Sequence, residues 1–499
     1  MKVHHLVVTS HVSDQTLDSI SKTTHLRILF PSSRNSFCSL SNKAVNDTVS
    51  KLTVLRVLNL SWCKTFKELP KKFGDLKHLH SLDLSNSLVE RLPESVSKLY
   101  NLQILNLSSC QKLTQLPDDM HLLINLWHLD IAGCYKMEKM PRQIGKLKGL
   151  QTLTTFIVGE DGGARVRELG ELSELRGNIS LQNLENVANG EDTSKARFAN
   201  KKKLEELTFS WRRDTEDPEH DKPVVEKLLS GVELKRLNII GYGGMEFPNC
   251  FRNPNTISSI VSIKLERYRH SQSLPELGEL PSLKTLHIKQ LDGVVRVSKE
   301  FYRTKGNFAS LESLSFSSMS AWKEWNSTKV KDHKVYPKLQ ELCISDCDGT
   351  PVLHHLELGK CEKTQEVPQT VGCNGEALER SGRKNETCVL PHSSGSSNSF
   401  LTKLQSTTLT HLEIKNCQVL ESFPLCSFPN FTHLDLVACE NLKDIKVVYG
   451  KPLPLGSLSI GGCPNFISFR GHRLKVCNSN SLTVEDYEKL EKLPTCPNL

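Results

Sequence analysis

Five potential metal ligands, Cys343, Cys347, His354, His355 and Cys361, fall within 19 residues. Zinc requires closely spaced ligand pairs that converge on one tetrahedral point. Here Cys347 and Cys361 each follow an alternating apolar segment by three residues, a position that turns inward, while Cys343 alternates outward. The set therefore diverges, and no metal is assigned. Phosphate chemistry would need G-x-x-x-x-G-K-[ST], whose backbone N–H groups and lysine cradle an anion. Gly145-Lys146, Gly359-Lys360 and Gly450-Lys451 are followed by Leu, Cys and Pro, so no nucleotide or other cofactor is assigned. Every His and Asp belongs to a repeating pattern, and no nucleophile–base arrangement separates from it. The chain reads as a non-enzyme.

That pattern must position whatever the chain does. Four segments repeat almost in register: LRVLNLSWC from Leu55, LHSLDLSNS from Leu79, LQILNLSSC from Leu102 and LWHLDIAGC from Leu126. A fifth, LQTLTTFIV, opens at Leu150, and the starts lie 24, 23, 24 and 24 residues apart. Self-similarity of L-x-x-L-x-L-x-x-N/C at this period marks a leucine-rich repeat. The L-x-L core has period two, so its leucines face inward and the intervening residues face solvent. Leu-Pro then turns the chain, because the residue before proline prefers an extended conformation. One unit cannot bury its inner face alone. The fold class expected is an α/β repeat solenoid, a horseshoe with a parallel concave β-sheet and an irregular convex side.

Organisation follows the period. Residues 1–50 carry degenerate opening repeats (VHHLVV, LRILF), 51–158 the regular repeats, and 159–347 looser ones at Leu204, Leu234, Ile260, Leu283, Leu311 and Leu339. Pro223 lies at the start of a short helix, VVEKLL. Residues 348–408 form an interrupted repeat with a polar insertion, since LHHLELGKC at Leu353 follows Leu339 by only 14 residues. Residues 409–499 resume the period and end in SLTVEDYEKLEKLP, which could cap the open end.

Composition narrows the classes further. A formal net charge of +8 is spread over 120 acidic and basic residues with no basic run beyond Lys201–Lys203, so nucleic-acid binding is not indicated. Of 16 cysteines, Cys63, Cys110, Cys134, Cys347, Cys361, Cys417, Cys439 and Cys463 occupy the repeat's own N/C slot. Such thiols behave as small buried hydrophobes rather than a disulfide framework. No leader and no apolar run near 20 residues is present, which points to a reducing, cytoplasmic location, with the nucleus also open to it.

The later block carries a more specific resemblance. LENVANGEDTSKARFANKKKLEELTFSW (184–211), GYGGMEFPNCF (241–251), LPELGELPSLKTLHIKQLDGVVRVSKEFY (274–302) and FASLESLSFSSMSAWKEW (308–325) occur in one order. Together they resemble the leucine-rich-repeat region of plant intracellular nucleotide-binding disease-resistance receptors of the coiled-coil class. The resemblance implies a part in plant defence and innate immunity, sensing a pathogen effector or a guarded host protein and restraining the nucleotide-binding module. Cys250 stands where the family has tryptophan, and ERYRH (266–270) replaces a cysteine-containing turn. The chain lacks the nucleotide-binding module and a preceding heptad run, so a truncated paralogue or a fragment of a longer gene is expected. The alternatives are an extracellular receptor ectodomain or secreted inhibitor, which favours Gly-x-Ile-Pro where this chain repeats Leu-Pro, and a ubiquitin-ligase adaptor, which would need an F-box-like segment.

Protein recognition on the concave face is the expected activity. Trp62, Trp127, His128, Trp211 and Tyr242 lie beside L-x-L cores, and interface hot spots are rich in Trp and Tyr. Trp62 and Trp211 fit packing against the adjoining turn equally well. Asn59, Asp83, Asn106 and Asp130 would add orienting hydrogen bonds. His4, His5, His411 and His433 occupy similar exposed positions. Lys136, Lys139, Arg142, Lys146 and Lys148 make a basic edge, which the resemblance marks as a docking patch for the nucleotide-binding module and which otherwise reads as a solvated convex face.

Overall fold

In a computed structural model, the described residues are 4–485 apart from 9–11, 32–37, 161, 189, 214–218, 254, 269, 303–306, 327–334, 348–351, 355–407, 419, 426–427, 429, 447–454 and 471–480. They divide into two compact units, residues 1–295 with 300–320, and residues 296–299 with 321–499.

Among its described residues the first unit holds two large sets of parallel strands and a short parallel pair, Val12–Ser13 with Cys38–Ser39. One set runs His5–Val8, Ile28–Pro31, Val57–Asn59, Ser81–Asp83, Ile104–Asn106, His128–Asp130 and Thr152–Leu153. The degenerate opening segments are thus true repeats, and α-helices Asp14–Ser21 and Asn42–Lys51 fill their second halves. The second set begins at Thr155–Ile157 and continues through Arg176–Gln182, Lys203–Ser210, Arg236–Ile240, Ser262–Glu266, Thr285–Lys289 and Ser313–Ser317. The chain changes sheets at Thr154. Its hydroxyl donates to Asp130 Oδ1 (2.9 Å) and accepts from the Ile131 N–H (3.0 Å).

Sequence explains the shape of each repeat. Leu58, Leu82, Leu105 and Leu129 are at most 2% exposed, and burial of each contributes roughly 1.5–3 kcal/mol. After Leu-Pro, the fixed proline φ (−60° at Pro70, −67° at Pro93) starts the 3-10 turns Lys71–Asp75 and Glu94–Lys98. Their apolar edges, Phe73 with Leu76 and Val96 with Leu99, are fully buried. Neighbouring turns come so close that a Cβ on Gly74 would strike the Ser95 carbonyl. Many of these strands are followed by a residue with positive φ, whatever its type, among them Trp62, Asn86, Ser109, Gly133, Gly241, Arg267 and Gln290.

The second unit carries the parallel strands Glu341–Ser345, His411–Lys415, His433–Val437, Ser457–Gly461 and Ser481–Glu485. Two smaller parallel sheets accompany them: Arg296–Val297, Glu324–Asn326 and Val352–His354, then Ser422–Pro424, Asp444–Lys446 and Ser468–Arg470. The strand at Leu353 accounts for the short 14-residue interval after Leu339. It pairs with Trp325 in a side sheet, so it belongs to the second half of the repeat that Leu339 opens. Because Glu341 pairs directly with His411, the polar segment is an insertion within one repeat. SLTVE, the start of the expected cap, supplies a further strand, and residues 486–499, with the rest of that cap, lie outside the described residues.

Candidate recognition surface

In the first unit's regular repeats the outward positions align in rows. Val57, Ser81, Ile104, His128 and Thr152 form one, and Asn59, Asp83, Asn106 and Asp130 the next. The second row already has work within the fold. Asn59, Asp83, Asn106 and Asp130 each accept, through Oδ1, the N–H two residues on (Ser61, Ser85, Ser108, Ala132) at 2.8–3.0 Å. These side-chain turns end the strands, where Asn and Asp compete best with regular pairing. Asn59 is also buried, at 8% exposure, and donates to Asp83 Oδ2 (3.3 Å), so Asp83, Asn106 and Asp130 are the more available to a partner.

The aromatic residues separate sharply. Trp62 (39% exposed) and Trp127 (43%) are open to solvent, and His128 is half-buried with Nδ1 3.0 Å from the Thr152 hydroxyl. Trp62 stands on the turn beyond the strand, at φ 63°, with Lys64 Nζ 5.7 Å from its ring. Tyr242 corrects the expectation of an exposed side chain, and Trp211 takes the packed alternative. At 0% and 2% exposure they are core residues, meeting edge to face at 5.5 Å. Trp211 Nε1–H donates to the fully buried Asp221 (2.8 Å), and the Tyr242 hydroxyl donates to the Glu246 carbonyl (2.8 Å). Burial pushes the Tyr242 phenol far above its usual range. Tyr268 and Phe247 stack beside them at 4.9 Å. Thus Tyr268, from the unusual ERYRH segment, fills the same aromatic cluster.

All five residues of the basic set are exposed. Lys139 and Arg142 lie beside Gly163 and Gly162, Lys146 ends the 3-10 turn Ile144–Lys146, and Lys148, two residues on, reaches Glu171 at 3.8 Å. The Lys201–Lys203 run divides. Lys201 is buried and donates to the Leu169 (2.8 Å) and Leu172 (3.0 Å) carbonyls, and its pKa is lowered by burial to about 8. Lys202 and Lys203 pair with Glu233 (3.8 Å) and Glu174 (3.3 Å) at the surface.

Sequence reasoning missed a charged mesh on the open face of the irregular repeats. Glu206 pairs with Arg236 (2.7 Å) and accepts from Asn238 (2.8 Å) on the next strand. Glu266 receives Lys264 (2.7 Å) and Lys289 (3.5 Å). The signal was present in the alternating positions of LEELTF, LKRLNI, VSIKLE and TLHIK, where outward residues are charged in complementary order.

With this geometry in view, comparison with known proteins is decisive. The model of the leucine-rich repeat region family matches residues 32–380. The chain belongs to that leucine-rich repeat family. The disease resistance RPP13-like protein 1 of Arabidopsis thaliana is 32% identical over 489 residues, covering 91% of this chain and 43% of that protein. Disease resistance protein RGA2 of Solanum bulbocastanum is 31% identical over 309 residues, covering 60% of this chain and 31% of that protein. The chain therefore spans less than half the length of these relatives.

In leucine-rich-repeat terms the N/C slot behaves as expected at six of the described cysteines. Cys110, Cys134, Cys347, Cys417, Cys439 and Cys463 are buried. Cys110 donates to the Leu84 carbonyl (3.0 Å) and Cys134 to that of Leu107 (3.1 Å), each in the preceding repeat. Burial raises both thiols, Cys134 to about 12. Cys63 departs from this reading, because it is disulfide-bonded. Cys343 does point outward, donating to Glu413 Oε2 (3.2 Å), whereas Cys347 is buried. His355 and Cys361 lie outside the described residues. No helix among the described residues is long and apolar enough to cross a membrane.

Proposed function

We propose that this chain is the non-enzymatic recognition solenoid of a cytoplasmic plant immune receptor. It binds a pathogen effector or guarded host protein on the open face of its sheets, through Trp127, His128, Asp83, Asn106 and Asp130. In a full receptor, the basic edge Lys136, Lys139, Arg142, Lys146 and Lys148 restrains the nucleotide-binding module. The observation that carries this reading is the kinship with disease-resistance proteins across 91% of the chain, together with an open face whose side chains stay outside the core. Restraint of this kind requires contacts that differ between the off and on states. The test is co-expression with the nucleotide-binding module of a related resistance protein. Co-purification is expected, with at least about tenfold weaker capture on joint Lys136→Glu, Lys139→Glu and Arg142→Glu substitution. A purified chain that hydrolyses ATP, or holds ADP stoichiometrically, would sink the proposal.

A further inference from the structure

Nine large apolar residues are conspicuously exposed among those described, and five of them fall between residues 100 and 127: Tyr100 (51%), Ile104 (40%), Leu122 (49%), Ile124 (64%) and Trp127 (43%). Single exposed apolar side chains need no explanation, but a contiguous group does. The repeat places these together. Tyr100 and Ile124 are equivalent positions of successive repeats, and the Asn125 side chain locks them in line by donating to the Tyr100 carbonyl (2.7 Å). Leu122 precedes Ile124 by two residues on the same turn. Trp127 follows it by three, its N–H bonded to the Gln103 carbonyl next to Ile104 (2.9 Å). Gly149, the next repeat's counterpart of Asn125, has no side chain to lay over the Trp127 ring, although a Cβ there would come within 3.6 Å of it.

Lysines bracket the group along the same rows. One row reads Asp75, Lys98, Leu122, Lys146, Glu171, and the other Lys77, Tyr100, Ile124, Lys148. Lys77 Nζ lies 5.9 Å from the Tyr100 ring and bonds the Lys98 carbonyl (3.5 Å), while Lys98 and Lys146 have no acidic partner among the described residues. The acids of the first row sit one step further out. An apolar centre with a cationic rim has the anatomy of a protein interface. A second copy of the chain is a poor occupant, because a two-fold contact would set lysines against lysines.

We propose that this edge docks an acidic amphipathic segment of a partner protein. Its apolar side chains cover Tyr100, Ile124 and Trp127, and its carboxylates reach Lys98 and Lys146. The inference rests on the chain's being a protein-recognition solenoid, but it concerns a surface beside the sheet's open face and specifies the partner's chemistry.

Three synthetic helical peptides of one length test it on the full chain. The first has Leu and Phe along one stripe flanked by Glu, the second the same stripe flanked by Lys, and the third the Glu flanks with Gln replacing the stripe. The first is expected to bind at least about tenfold more tightly than either twin. Ile124→Glu and Trp127→Ala should each weaken it by a similar factor without moving the melting temperature. Lys98→Glu with Lys146→Glu should reverse the preference between the two charged peptides. Equal binding of all three, or indifference to Ile124→Glu, overturns the proposal. So does a dimer of the chain that Ile124→Glu disperses, since that would make a second copy the occupant. Ile124→Glu leaves the whole basic edge and the open-face residues Trp127, His128, Asp83, Asn106 and Asp130 intact, so for that variant module capture and ATP turnover are read separately from peptide binding.

Discussion

The regular and irregular repeats of the first unit solve one problem in two ways. Between residues 55 and 158 a repeat spends three residues on strand and closes it with an Asn or Asp side chain turned back on the backbone, as at Asn106 and Asp130. Between 176 and 317 the strands run five to eight residues, and the space behind them is filled by aromatic rings and a helix, Asp221–Leu229. Economy in the first region leaves large side chains with nothing to cover them, and Trp127 stays on the surface. Bulk in the second draws its tryptophan inward, where Asp221 must satisfy Nε1–H. The same residue type is therefore a candidate contact in one region and a structural core in the other.

That contrast is broken most forcefully at the tryptophans. Trp211→Ala should cost about 3–5 kcal/mol, from cavity formation with Asp221 left short of a donor, while Trp127→Ala should stay within about 0.5 kcal/mol. Urea unfolding of the two variants checks it. Equal losses would mean that exposure does not separate their roles. Lys201→Met comes next. Removing the ammonium orphans the Leu169 and Leu172 carbonyls, at a cost of about 1–3 kcal/mol by the same measurement. The folded-state pKa of Lys201 is lowered, so the unfolded chain binds more protons between pH 8 and 10.5. Wild-type stability from this group should thus rise across that window, and the rise should vanish in Lys201→Met. A smaller effect is expected at the left-handed strand ends, which the second unit shares with both regions. Ala438→Gly (φ 52°) should stabilise the chain by about 1 kcal/mol. Gly241→Ala should destabilise it by more than that, because its Cβ would meet the Trp211 carbonyl as well.

These residues also show what the sequence could reveal. The leucines of the L-x-L cores identified the strands, their parallel order and the inward face, because a period of 23–24 residues leaves no other consistent packing. Tyr242 was illegible for a local reason. Simple alternation from Ile240 puts it outside, but left-handed Gly241 intervenes and resets the parity. Trp211 was readable in hindsight, since alternation from Phe209 already points it inward. The short interval before Leu353 marked an interruption, but not the side sheet that causes it, because strands on two sides of one repeat share the same composition. At the recognition surface, Asp83 and Asn106 were visible as outward positions, but their engagement in the strand-ending turns depends on backbone geometry that spacing does not encode.

The weakest expected effect lies in the second unit, where repeat spacing puts like beside like. His411 and His433 stack at 4.1 Å with an interplanar angle of 8° on adjacent strands. Loss of hydrating water, followed by repulsion from His433, lowers the His411 pKa, while Glu341 and Asp435 pull the other way. Its folded value therefore lies below the 6.5 of the free side chain, and the unfolded chain takes up the proton first as pH falls. The contribution to stability is complete above 6.5 and is lost as pH drops through that value towards the folded pKa. The melting temperature should fall between pH 7.5 and 5.5, and the fall should shrink in His433→Gln, which removes the second charge but keeps a planar group on the ring. An unchanged fall would place the acid sensitivity elsewhere and leave the stacked pair a matter of packing alone.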